Sequence, residues 1–216
     1  IGIGAAMGLA YAVITVHLRA EQGISGIGIY LFGLGMSDLL FQKLVGTPRP
    51  IMPFMMVPVP VLADLPVIGE MFFQHTLMVY LAFLLVPVMT FMINSTTFGL
   101  NVRAMGENPE AADSLGVSVA LVRYTAIIVG NALAGLAGAA LAIELGIFQQ
   151  NLTNAMGFIA IALVYFGAWR PLGVMTGSLV FGMVAAIVLQ CKTLGIIPRS
   201  ASDLAAMAPA VITVLA

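Results

Sequence analysis

The chain has 216 residues, 61% hydrophobic and only 8% charged, with a mean hydropathy of +1.10 and a net charge of −1. A soluble domain is roughly 25% charged, so this composition excludes one and points to a multi-pass membrane protein. No basic face exists to neutralise phosphates, which argues against nucleic acid. The single Cys191 excludes an internal disulfide or a cysteine metal cluster, and with only two histidines, His17 and His75, distant in sequence, a histidine metal site is not expected.

Residues 1–16 read as an apolar, Gly-rich helix, followed by a short polar break over 17–22. Residues 23–45 form a second helix of about 23 residues, enough to cross ~30 Å of hydrocarbon. Residues 46–73 form a loop carrying Pro48, Pro50, Pro53, Pro58, Pro60 and Pro66, which cannot sustain a helix. A third helix is expected over 74–97, kinked at Pro87. The segment 98–121 is then a polar island holding Arg103, Glu107, Glu110 and Asp113. A fourth helix runs over about 122–143, and a polar connection covers 144–156. The next apolar run, 157–169, is short for a crossing at ~1.5 Å per residue, and Arg170-Pro171 ends it. A fifth long helix covers about 172–191, a loop follows over 192–202, and a last helix opens near Asp203, a candidate N-cap.

Both ends of the chain lie in apolar runs and there is no initiator Met, so a longer protein is expected. Lys and Arg do not orient it. Arg19, Arg103, Arg123 and Arg170 fall on the island's side and Lys43, Arg49, Lys192 and Arg199 on the other, with no positive-inside bias.

Residues 4–33 align without a gap on residues 138–167, with eight identities in thirty, among them Gly4-Ala-Ala6 with Gly138-Ala-Ala140 and Phe32-Gly33 with Phe166-Gly167. In the topology above the first copy's leading helix runs toward the island's side and the second runs away from it, so the repeat is inverted. Inverted repeats with interrupted helices characterise transporters. Segments 23–35 and 157–169 are the expected interrupted pair. The fold class is therefore all-α: a polytopic transmembrane helical bundle with an inverted internal repeat and interrupted helices, forming one domain over 1–216.

The island carries local helix signals. Glu107 and Asn108 are candidate caps of a short helix, with Pro109 at its first position, Glu110 in its first turn, Ala111 and Ala112 giving a small packable face, and Gly116 ending it. A solvated interspan loop is the plainer account of the same residues.

The runs Leu100-Asn-Val-Arg-Ala-Met-Gly-Glu-Asn-Pro-Glu-Ala-Ala112, Leu115-Gly-Val-Ser-Val119 and Asn131-Ala-Leu-Ala-Gly-Leu-Ala-Gly138 resemble the membrane subunits (permeases) of bacterial ABC importers. The branch is that for simple sugars, nucleosides and branched-chain amino acids. Gly157-Phe-Ile-Ala-Ile-Ala162 and Pro171-Leu-Gly173 are similar to it too. The stretches Arg103–Asp113 and Asn154–Ala160 look nearest to the nucleoside and simple-sugar permeases. Arg170 departs from the pattern, since relatives often carry an uncharged polar residue there. Family members are longer, with further spans N-terminal to this segment.

The resemblance implies a multi-pass protein of the bacterial inner membrane, paired with a second permease subunit. Cytoplasmic ABC ATPase subunits dock on one side, and an extracytoplasmic substrate-binding protein delivers a nucleoside or simple sugar on the other. Loop 46–73 is then extracytoplasmic and 98–121 cytoplasmic. Gly106, Glu107, Asn108, Pro109, Glu110, Ala111, Ala112 and Gly116 become the coupling helix. No cofactor belongs to this chain; ATP and Mg are held by the partner subunits. The chain has no phosphate-binding Gly-Lys-Ser/Thr loop and no catalytic set.

Candidate substrate-path residues are Asn131, Glu144, Asn151, Asn154 and Gly157. The polar ones have plainer accounts: helix packing for Asn131, interfacial hydration for Glu144 and a polar loop for Asn151 and Asn154. Gly4/Gly8 and Gly173/Gly177 read as close-packing faces. An ion-coupled secondary transporter needs buried carboxylates or histidines in mid-span, of which the chain offers few. An intramembrane enzyme needs paired catalytic residues, and none stand out.

Overall fold

The computed structural model describes residues 1–58, 74–153 and 156–195. The described elements are helical, apart from four two-residue strands. In chain order they are α1 (Gly2–Ala12), a π-helical turn (Val13–His17), α2 (Gln22–Leu44), β1 (Arg49–Pro50), β2 (Val57–Pro58), β3 (Gln74–His75), α3 (Leu77–Ser95), α4 (Thr97–Glu107), α5 (Pro109–Ser114), α6 (Val119–Leu145), β4 (Ile147–Phe148), α7 (Met156–Phe166) and α8 (Pro171–Thr193). The helix expected from Asp203 lies outside the described residues.

Among the described residues, four helices, α2, α3, α6 and α8, are long and apolar enough to cross a membrane. Their surfaces stay apolar: no residue of α3 is buried, and Leu84 and Phe91 are exposed. Such faces are stable only away from water, against lipid or other apolar helices. Inside the bilayer every backbone polar group must be bonded within the chain, which a helix achieves by itself. The chain is accordingly a multi-pass membrane protein.

The chain divides into two compact units. The first comprises Ile1–Ala82 and Met92–Asn154, and the second Phe83–Phe91 and Ala155–Ala216. The core of the first is the pairing of α1 with α6. A β-carbon on Gly4 would collide with the Asn131 carbonyl and lie 3.2 Å from Gly135 Cα; one on Gly8 would lie 2.7 Å from Asn131 Cβ and 3.2 Å from the Ile127 carbonyl. Only glycine allows this approach, and small residues are how membrane helices gain contact. Climbing α1 from Gly4 to Gly8 descends α6 from Gly135 to Ile127, so the two helices are antiparallel. The leading helices of the two sequence copies, which lie in α1 and at the end of α6, therefore run in opposite senses.

The second helices of the two copies begin at aligned positions, Gln22 and Met156. They then differ. α7 stops after 11 residues, as its short apolar run requires. α2, however, runs unbroken for 23 residues, so the expected interruption at 23–35 is absent. Its glycines do not break it: the backbone bonds of a lipid-embedded helix have no water to exchange with.

In the second unit, the break between α7 and α8 is a tight turn. Ala168 and Trp169 both take left-handed conformations, with φ of 50° and 60°. The Gly167 amide donates to Leu163 O at 2.8 Å and that of Trp169 to Val164 O at 3.1 Å. Pro171 opens α8 at its first position, where its missing N–H costs nothing. Gly173 backs onto Gly167, and a β-carbon on Gly177 would fall 2.6 Å from the Phe166 ring. Gly173 and Gly177 are thus a close-packing face, as expected.

Two further expectations need adjusting. α3 spans 77–95 rather than 74–97 and continues through Pro87 without a break. The island, read as one short helix in a loop, holds two helices.

Candidate functional site

The island begins at Thr96. Its backbone is extended (φ −113°, ψ 156°), which ends α3, and its hydroxyl accepts from the Gly99 amide at 3.2 Å to start α4. The chain turns back so sharply that a β-carbon on Gly99 would overlap the Met92 and Ile93 carbonyls. Gly99 is therefore required for the bend.

α4 ends at Glu107, and Asn108 (φ −152°, ψ 100°) separates it from α5. Asn108 Oδ1 accepts from the amides of Glu110 at 3.1 Å and Ala111 at 3.0 Å, capping α5. Glu107, expected to share that cap, instead forms the last residue of α4. Pro109 takes the first position, and Glu110 follows in the first turn, where a carboxylate complements the helix dipole. At the far end Val117 N donates to Ala112 O at 3.1 Å and Gly116 adopts φ +83°. This left-handed residue makes a glycine C-cap.

α5 is thus a six-residue helix closed at both ends, shorter than the 106–116 expected. Of the two alanines expected to form its packable face, Ala112 is buried (3% exposed) and Ala111 is open to solvent. α5 packs on α4 and on the start of α6, and presents Glu110, Ala111, Asp113, Ser114 and Leu115 outward. Gly106 has open space around its α-carbon.

At the opposite end of α6 the elements form a collar. Gly146 closes the helix with φ +64°, and the chain enters β4. β4 pairs antiparallel with β1, placing Arg49 opposite Phe148 and Pro50 opposite Ile147. Ile51 N donates to Gly146 O at 2.9 Å, and Phe41 of α2 meets Phe148 with ring centroids 5.6 Å apart. The Thr76 hydroxyl, before α3, donates to Glu144 Oε1. The Tyr80 hydroxyl donates to Val57 O at 3.1 Å and accepts from the His75 amide at 3.2 Å. The ends of α2 and α6 and the start of α3 are thereby tied together.

Within the first unit, the candidate substrate-path residues Asn131 and Glu144 stand apart. Asn131 is half-buried in the α1–α6 contact, its amide donating to Ile127 O at 2.9 Å. Glu144 lies 13 residues further along the same helix, ~20 Å away. Asn151 sits in the turn after β4 with φ 52°, exposed. Gly157 opens α7 in the second unit with nothing packed on its α-carbon. Asn154 lies outside the described residues.

Sequence reasoning passed over Glu21. Its carboxylate accepts from the Gly23 and Ile24 amides at 2.9 and 2.5 Å and caps α2. The bonds from Ile24 and then Gly23 hold its pKa below the usual carboxylate range. An Asx- or Glu-type acceptor ahead of an apolar run was the available signal. Thr96 was missed for the same reason.

Comparison with known proteins places this architecture. The guanosine ABC transporter permease NupQ of Bacillus subtilis is 31% identical over 218 residues, covering 99% of this chain and 68% of that protein. The nucleoside ABC transporter permease NupC of Lactococcus lactis is 34% identical over 217 residues, with the same coverage of 99% and 68%. TsgC13 of Haloferax volcanii, which bears the name of a glucose ABC transporter permease, is 36% identical over 90% of this chain and 61% of its own length. The chain thus spans about two thirds of the relatives it matches. No solved structure matches it. The family model for the permease component of branched-chain amino acid transport systems matches residues 1–215, and the chain belongs to that family of ABC transporter permeases.

Proposed function

We propose that this chain is the membrane subunit of an importer that passes a nucleoside or simple sugar, driven by separate ATPase subunits seated on α5. The observation that carries this reading is α5 itself. A six-residue helix, capped by Asn108 and stopped by Gly116, stands at the span ends with its acidic and leucine face open. A merely solvated connection between α4 and α6 needs no such rigid fixture. Seated in a partner's groove, α5 passes a displacement to α4 and α6 as a rigid body.

The coupling residues are Gly106, Glu107, Asn108, Pro109, Glu110, Ala111, Ala112 and Gly116. On this reading the α5 side is cytoplasmic and the collar side extracytoplasmic, where a substrate-binding protein delivers its load. A second permease subunit completes the pathway. The names of NupQ, NupC and TsgC13 favour guanosine, other nucleosides or glucose as cargo. The family description keeps branched-chain amino acids as the alternative.

The test uses the full-length protein with its ATPase and partner permease in proteoliposomes. Uptake of labelled guanosine, glucose and leucine is followed with and without ATP, for wild type and for Glu110→Lys with Gly116→Arg. ATP-dependent uptake of one solute, lost in the variant together with ATPase association, is the expected result. Uptake indifferent to ATP and to both substitutions overturns the reading.

A further inference from the structure

The polar break after α1 has no role in the function proposed above, yet it is built with care. The π-helical turn ends with Leu18 N donating to Val13 O at 3.0 Å and Ala20 N to Ile14 O at 3.1 Å. Buried Thr15 bonds back to Tyr11 O at 2.9 Å, and the Tyr11 hydroxyl donates to Gln22 O at 3.1 Å. Glu21 caps α2 with both oxygens. At the tip, Arg19 is held at φ 52°, a conformation that costs a residue with a β-carbon about 1–2 kcal/mol. Strain of this kind persists where surrounding structure enforces it, and it clusters at functional segments. The result is an exposed, pre-ordered tip, with Leu18 67% exposed and Arg19 open beside it.

The register between α1 and α6 locates this tip. Four residues along α1, from Gly4 to Gly8, move the contact about four residues back along α6. Carried on from Gly8 to His17, the same antiparallel register reaches the first turn of α6, at about residue 120. The π-helical turn does pack against α6. That first turn begins at Val119, four residues after Leu115, the exposed end of α5. The tip and α5 therefore share one end of the first unit.

Each of these two polar segments presents a bare leucine: Leu115 is 85% exposed and Leu18 67%. Arg19 adds a cation at the same end as the exposed carboxylates of Glu110 and Asp113. We infer that the Leu18–Arg19 tip is a second contact for the soluble subunit that seats α5, an inference that rests on the function proposed above. The two leucines are its apolar anchors and Arg19 pairs with a carboxylate on the partner. Anionic lipid headgroups are the competing occupant of an arginine at a span end. The acidic face of α5 at the same end disfavours them, because the surface of anionic lipid repels carboxylates.

The experiment uses the full-length permease in nanodiscs with its ATPase subunit. Arg19→Gly removes the side chain and keeps the left-handed backbone, while Leu18→Ser removes the anchor. ATPase binding, ATP-driven uptake and the thermal midpoint of the permease are measured for each, alongside Glu110→Lys with Gly116→Arg. Arg19→Gly with Leu18→Ser is expected to weaken ATPase binding at least tenfold and to lower uptake in step, with the midpoint kept. If the double substitution lowers the midpoint, Arg19→Gly alone is read, and a several-fold loss of binding is expected. Binding unchanged by the tip variants but lost in the α5 variant overturns the second contact and leaves the coupling role of α5 standing. Binding unchanged by either set overturns both. An Arg19→Gly effect that appears only in nanodiscs of anionic lipid assigns the tip to lipid and overturns the inference.

Discussion

Gly8 of α1 meets Asn131 of α6 so closely that a β-carbon on the glycine would stand 2.7 Å from the asparagine's Cβ. Gly8→Leu is therefore expected to push α1 off α6. Overpacking of this kind costs typically about 1–3 kcal/mol. Gly4→Leu should cost at least as much, because its obstacle is backbone, which cannot rotate away. Thermal unfolding in detergent checks both, with Gly2→Leu, at a site with open space, as the neutral control.

Asn108→Ala removes the acceptor for the Glu110 and Ala111 amides. Loss of an N-cap costs ~0.5–2 kcal/mol, a large share of what holds a six-residue helix. Hydrogen exchange at those two amides should rise several-fold while exchange in mid-α6 stays unchanged. Asn108→Asp should retain the protection. Equal exchange in the alanine variant would show that the cap is idle.

The carboxylate of Glu21 gives α2 a pH-dependent start. Its folded pKa is depressed by the bonds from Ile24 and Gly23, so the stabilising contribution is present above the ordinary carboxyl value of 4.5 and lost as pH falls through the folded value. Amide exchange at Gly23 and Ile24, corrected for intrinsic rate, should show protection falling only below about pH 4.5. Glu21→Gln should flatten that dependence. A profile that survives the substitution assigns it to another group.

Ala168 and Trp169 offer opposite responses to the same change. Ala168→Gly relieves about 1–2 kcal/mol of left-handed strain and gives back about 0.5–1 through the freer unfolded chain, leaving a small gain. Trp169→Gly also loses the ring contact with Tyr165, whose centroid is 5.0 Å away. Such pairs are worth about 0.5–1.5 kcal/mol, so this variant should be neutral or worse. Thermal midpoints of the two variants decide the order.

Arg49 and Phe148 face each other across the β1–β4 ladder. Opposed residues in an antiparallel pair stand about 4.5–5.5 Å apart at Cα, within disulfide range. With Cys191→Ala removing the native thiol, Arg49→Cys with Phe148→Cys should crosslink on mild oxidation. Absence of a crosslink would mean that the collar opens more than the ladder allows.

What could be read in advance was local. Asn108, Pro109 and Gly116 mark their helix by capping chemistry within nine residues, whereas Arg170-Pro171, expected to end the short apolar helix, marks the start of α8, and α7 stops earlier, at Phe166. Gly4 and Gly8 were legible as a packing face because their four-residue spacing is itself the signal. The α3–α4 bend was not, since Gly99 matters only through its approach to carbonyls of the previous helix. The ladder joins residue 50 to residue 147, a separation that periodicity does not register. The glycines of α2 misled: in water they argue for a break, but a membrane span keeps its helix because its backbone has nowhere else to bond. Of the candidate site, the proposed coupling segment is contiguous and so legible as a unit, whereas Asn131 and Glu144 stand apart along one helix.

α5 hangs between two joints of unequal length. One is Asn108 alone, and the other runs from Leu115 to Ser118. Both joints are bonded to α5 itself: Asn108 Oδ1 accepts from its first amides, and the amides of Gly116 and Val117 donate back to Asp113 O and Ala112 O. Neither joint is free to absorb a tilt imposed on α5, so it is handed to α4 and α6 together.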